Sequence, residues 1–81
     1  MNKIIDIGYL INIGISTCRL FKVHNDESLK EDRVISYGIL PEDVGYFDEL
    51  IKIVQSIVKT IPHIMCIVIK FIIKNKWRMC N

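Results

Sequence analysis

The odd positions from 5 to 15 read Ile5, Ile7, Tyr9, Ile11, Ile13 and Ile15, separated by Asp6, Gly8, Leu10, Asn12 and Gly14. Successive side chains of a strand point to opposite faces, so this alternation lays six large apolar groups on one side. A helix would scatter the same residues around its circumference. The segment reads as a strand, or as a hairpin broken near Gly8 or Gly14, where a missing side chain permits a bend. Strand character continues through residues 18–23, Cys-Arg-Leu-Phe-Lys-Val.

Residues 24–32 are polar and acidic with no apolar period, and they read as an exposed loop. Residues 33–40, Arg-Val-Ile-Ser-Tyr-Gly-Ile-Leu, are β-branched and aromatic, which predicts the next strand. Residues 41–45, Pro-Glu-Asp-Val-Gly, signal a turn. The period then changes. Apolar side chains fall at Phe47, Leu50, Ile51, Ile53, Val54, Ile57, Val58 and Ile61, with Glu49, Lys52, Gln55, Ser56 and Lys59 opposite them. That spacing predicts an amphipathic helix, with Asp48 and Glu49 in its first turn favourably placed against the macrodipole. Pro62 ends it, because proline disfavours helical geometry at the residue before it. Residues 64–73 form a nearly continuous apolar run of strand length, the pattern of a central strand buried on both faces. The order β-β-β-α-β predicts an α+β fold, a small, mostly antiparallel sheet with the helix packed on one face.

Composition sets the scale. A chain of 81 residues is read as one domain, with 73–81 as a basic C-terminal tail. A core this size supplies only on the order of 3–5 kcal/mol. With 51% hydrophobic residues, some apolar surface is expected to stay exposed or to be covered by a second copy or a partner. There are 17 isoleucines and no alanine, a bias toward A/T-rich codons that points to a phage, virus, mobile element or AT-rich bacterium. Cys18, Cys66 and Cys80 are odd in number and form no CxxC pair, which favours a reducing, cytoplasmic compartment. Asp6 falls where a secretory leader would be apolar, so no signal peptide is expected.

The formal net charge of +2 conceals a strong polarity. Residues 1–23 carry +2, residues 24–49 carry −6, and residues 50–81 carry +6 with no acid at all. Carboxylates clustered on loops steer association with a cationic surface. Asp26, Glu27, Glu31, Asp32, Glu42 and Asp43 are therefore candidate partner-binding residues. At the basic end, Lys70, Lys74, Lys76 and Arg78 flank Trp77, the only tryptophan. Cations neutralise phosphates and an indole stacks on an unpaired base, so these five residues are the candidate nucleic-acid contacts.

Residues 4–8, Ile-Ile-Asp-Ile-Gly, resemble the first phosphate-loop strand of the actin-like and sugar-kinase ATPases. That family opens with a hydrophobic-Asp-x-Gly hairpin and continues through strands, a helix and a further strand. The resemblance implies that Asp6 faces metal and phosphates and that Gly8 lets the backbone approach them. Tyr9, Leu10 and Ile11 replace the family's small hydroxyl-rich turn, and the second phosphate loop and adenosine site have no room in 81 residues. The segment therefore reads as a strand with an exposed aspartate and a glycine bend. His63, Cys66 and Cys80 do not make a zinc site, since strand residues three apart project to opposite faces. Nor does Cys18 with His24 make a catalytic pair without a third, orienting group. Within the apolar residues 50–73 the longest uncharged stretch, residues 60–69, is short of the about 20 needed for a transmembrane span.

The residues thus predict a non-enzymatic protein without cofactor or metal that binds another macromolecule. Its concrete form is an inhibitor or modulator of a host protein, acting through the acidic residues or an exposed sheet edge. A homodimer by the same edge pairing is expected as well. The alternative is a nucleic-acid-binding module using the tail, and a further one is a structural subunit of a larger or membrane-associated assembly.

Overall fold

A computed structural model describes residues 3–71, which form four strands and one helix. In chain order these are β1 (Asp6–Ile13), β2 (Thr17–His24), β3 (Leu29–Ser36), α1 (Tyr46–Lys59) and β4 (Cys66–Phe71). The strands make one sheet in the order β3-β2-β1-β4. β1 pairs antiparallel with β2, and β2 with β3, while β4 returns parallel to β1. The architecture is the expected α+β, with a mixed sheet: a parallel neighbour needs a long crossover, and α1 supplies it.

Register decides which face each side chain takes. Ile11 lies between Leu20 and Ile69, and Ile13 between Cys18 and Phe71, so these residues share one face. Ile11, Ile13, Cys18 and Leu20 are buried there with Leu50 and Ile57 of α1, Tyr37, Tyr46 and Ile61. Leu10, Phe21, Val23, Val34 and Val68 point the other way, and among the described residues no second layer covers them.

The β1–β2 turn is held from the helix side. The Tyr37 hydroxyl lies 2.9 Å from the Gly14 carbonyl oxygen and 3.0 Å from that of Thr17, and donates its one proton between them. The Tyr46 hydroxyl donates to the Ile15 carbonyl. Burial pushes both phenols above the usual tyrosine range, Tyr37 the further, which keeps these donors protonated. Tyr37→Phe is expected to cost about 1–2 kcal/mol, since it takes the donor from the Gly14 carbonyl at a part-buried turn, and urea unfolding would read it. A cost below a few tenths would show that water replaces the hydroxyl.

Three expectations need correction. Residues 29–32 are strand and not loop; β3 lies at the sheet edge with its side chains exposed, so backbone pairing with β2 holds it without an apolar period. That strand ends at Ser36, before residues 37–40, because the chain turns there to insert Tyr37 into the core. β4 is not a central strand buried on both faces. It is the other edge, with Val68 57% and Phe71 58% exposed. A continuous apolar run shows that a strand resists water and does not show how many neighbours it has.

Candidate functional site

The apolar stripe of α1 is wider than the core uses. Leu50 and Ile57 are buried, whereas Phe47 and Ile51 remain 63% and 53% exposed. These two turn toward the β4 side, where Ile69 and Phe71 continue the sheet face beyond Ile13. Together with Leu50, Val54 and Gln55 they line an open groove of about 540 Å³. Among the described residues no charged side chain lines it. At full burial a single large apolar side chain is worth about 1.5–3 kcal/mol, so leaving several in water is a substantial unmet driving force. The groove lies between α1 and the β1–β4 side of the sheet, and the outer edge of β4 has no strand opposite it among the described residues.

The acidic candidates fall into separate places. Asp26 and Glu27 sit in the β2–β3 turn, Glu31 and Asp32 on β3, and Glu42 and Asp43 in the β3–α1 loop. The first and last pairs lie at opposite ends of β3. Three of the six are also engaged locally. Glu31 pairs with Arg19 at 3.0 Å, and Asp43 accepts the Leu40 amide at 3.0 Å. Asp32 has no residue opposite it, because the register steps from Leu20–Arg33 to Phe21–Glu31. Lys70 lies on β4, on the face away from the groove. Lys74, Lys76, Trp77 and Arg78 lie outside the described residues.

Asp26 closes its turn by accepting the Ser28 hydroxyl at 2.6 Å and the Ser28 amide at 3.0 Å. These donors hold its carboxyl below the usual carboxylate range, with a smaller pull from His24. A depressed carboxylate contributes stability that is complete above the ordinary aspartate value and lost as pH falls through the lowered one. The Ser28 amide resonance is therefore expected to shift in one step at acid pH, a step that Asp26→Asn abolishes; a shift that survives this substitution would refute the assignment. Because the Ser28 proton goes to Asp26, the Ser28 oxygen, 3.0 Å from His24 Nδ1, acts there as acceptor. The group closes a turn and does not present an activated nucleophile.

Asp6 does not sit at a hairpin. It begins β1, with Lys22 Nζ at 3.8 Å and His24 Nε2 at 3.2 Å. Gly8 serves a close approach, but to protein: a Cβ there would lie 2.9 Å from the Cys66 carbonyl oxygen. The hairpin instead occupies residues 14–16, eight residues beyond Asp6. On its open-face side Asn12, Gly14, Thr17 and Arg19 line a small hollow of about 190 Å³. The Asn12 side-chain oxygen is buried with no hydrogen-bond partner. Periodicity could not find this hollow, which depends on where the turn closes; the Asn-Ile-Gly at 12–14 is its one sequence signal.

Among the described residues no three His, Cys, Asp or Glu side chains converge as a metal site would require, and no helix is long and apolar enough to cross a membrane. No protein-family model matches the chain, and comparison with curated proteins and with solved structures gives no match.

Proposed function

We propose that this chain is a non-enzymatic binding module that takes another protein along the outer edge of β4 and the groove beside it. The groove carries the reading: Phe47, Ile51, Ile69 and Phe71 stand half-exposed around a hollow beside a strand whose outer side has no neighbour among the described residues. Strand addition at such an edge gains affinity from main-chain hydrogen bonds and specificity from neighbouring pockets. An inhibitor of a host protein in a phage- or virus-type setting is its concrete form. Asp26, Glu27, Glu42 and Asp43 would then steer approach to a cationic partner rather than form the contact. A photo-crosslinking residue at Val68, compared with one at Lys30 on β3, tests it in cells. Adducts from Val68 alone support the reading; adducts from neither position, or equally from both, overturn it.

A second reading has its own observation, the buried unpartnered Asn12 oxygen beside Arg19. Arg19 would meet the oxygens of a phosphate-bearing ligand there, while the Asn12 oxygen, an acceptor, would take a hydroxyl of the same ligand. Titration calorimetry with ATP and ADP, repeated on Arg19→Ala, separates this reading from the first, which predicts no heat.

A further inference from the structure

We propose that the occupant of the β4 edge is a second copy of this chain, paired antiparallel about a two-fold axis at Ile69; this rests on the binding reading above and names its partner. The two edges of the sheet differ in kind. β3 presents Lys30, Glu31, Asp32 and Arg33 in a row and carries a register irregularity, both of which discourage edge pairing. β4 presents one charge in six residues and runs in unbroken register with β1 from Gly8–Cys66 to Ile13–Phe71. Lys70 apart, the described residues of β4 carry none of the devices that keep an edge single.

The register follows from symmetry and face. Ile67, Ile69 and Phe71 share the α1 face, while Cys66, Val68 and Lys70 share the other. A two-fold axis perpendicular to the sheet always passes between a residue and its own copy. Centred on Lys70, it would set two ammonium groups opposite each other, which is unfavourable. Centred on Val68, it leaves Phe71 beyond the paired stretch. Centred on Ile69, it pairs Ile69 with itself, Ile67 with Phe71, and Val68 with Lys70. That register makes two aromatic–β-branched pairs and sets no like charges opposite. It also covers Phe71 and joins the two grooves into one trough between the two helices.

The test uses the full chain with Cys66→Ser and Cys80→Ser. Residues directly opposite in an antiparallel pair have Cβ atoms about 4.5–5.5 Å apart, within a small adjustment of disulfide geometry. Ile69→Cys is expected to form an intermolecular disulfide on mild oxidation, and Lys30→Cys is not. Sedimentation equilibrium should show a closed dimer, weakened at least about tenfold by Ile69→Lys, with circular dichroism unchanged. A dimer insensitive to Ile69→Lys, linkage through Lys30→Cys, or open-ended oligomers would overturn the proposal. A monomer whose Val68 probe still crosslinks to another protein removes the second copy and leaves the binding reading standing. A monomer with no adduct removes both.

Discussion

Ile11→Ala is expected to bring the chain to the edge of unfolding. Ile11 is fully buried, flanked in the sheet by Leu20 on β2 and Ile69 on β4, and belongs to the cluster that includes Leu50 and Ile57 of α1. Removing a buried isoleucine to alanine costs about 2–5 kcal/mol, the lost transfer energy plus the cavity left behind. A core of this size provides on the order of 3–5 kcal/mol in total. Burial by three elements at once places Ile11 toward the upper part of that range, because no single element can collapse into the space without losing register. Val44 supplies the control: it is 99% exposed, and Val44→Ala should fall within about 0.5 kcal/mol of the parent. Urea unfolding followed by far-ultraviolet circular dichroism reads both. A loss below about 1 kcal/mol at Ile11 would mean that the core described here is not the structural centre.

The reasons some elements were legible in the sequence and others were not are physical. β1 and α1 each expose one face and bury another, so their periods are written in the residues. α1 lies where the helical spacing puts it. The alternation of β1 reaches the core only over Tyr9, Ile11 and Ile13, because the register shifts between Asp6 and Gly8 and leaves Ile5 and Ile7 about half exposed. β3 buries almost nothing. Its pairing is a matter of backbone hydrogen bonds, which leave no mark on side-chain pattern, and its polar first half therefore read as loop. The parallel return of β4 depends on the path of the crossover, and an apolar run is equally compatible with a centre or an edge. The groove had a partial signal. Phe47 and Ile51 widen the apolar stripe of α1 past what a single sheet layer can cover, but only the placing of β4 beside β1 brings Ile69 and Phe71 to meet them. Adding charges along the chain gave one acidic middle; the fold divides it between the two ends of β3 and the strand itself.

Gly8→Ala is expected to detach β4 and remove the binding surface while the β1–β2–β3 meander survives. The added Cβ would stand 2.9 Å from the Cys66 carbonyl oxygen, a distance that real Cβ contacts do not show. That oxygen is backbone, paired in register with β1, and cannot swing aside as a side-chain tip would; the strands must part at the first residue of their ladder. Overpacking of this kind costs typically about 1–3 kcal/mol. Among the described residues β4 meets only β1 in the sheet, while β1 and β2 are each paired on both sides, so the strain is relieved most readily at β4. Hydrogen exchange should then show the β4 amides that face β1 losing protection while Leu10, Leu20 and Ile35 keep theirs. Partner capture or dimerisation through β4 should fall with it, because the groove loses Ile69 and Phe71 together. Equal loss of protection across all four strands would show that β4 is integral to the core, and the division between a stable meander and a binding edge would have to be abandoned.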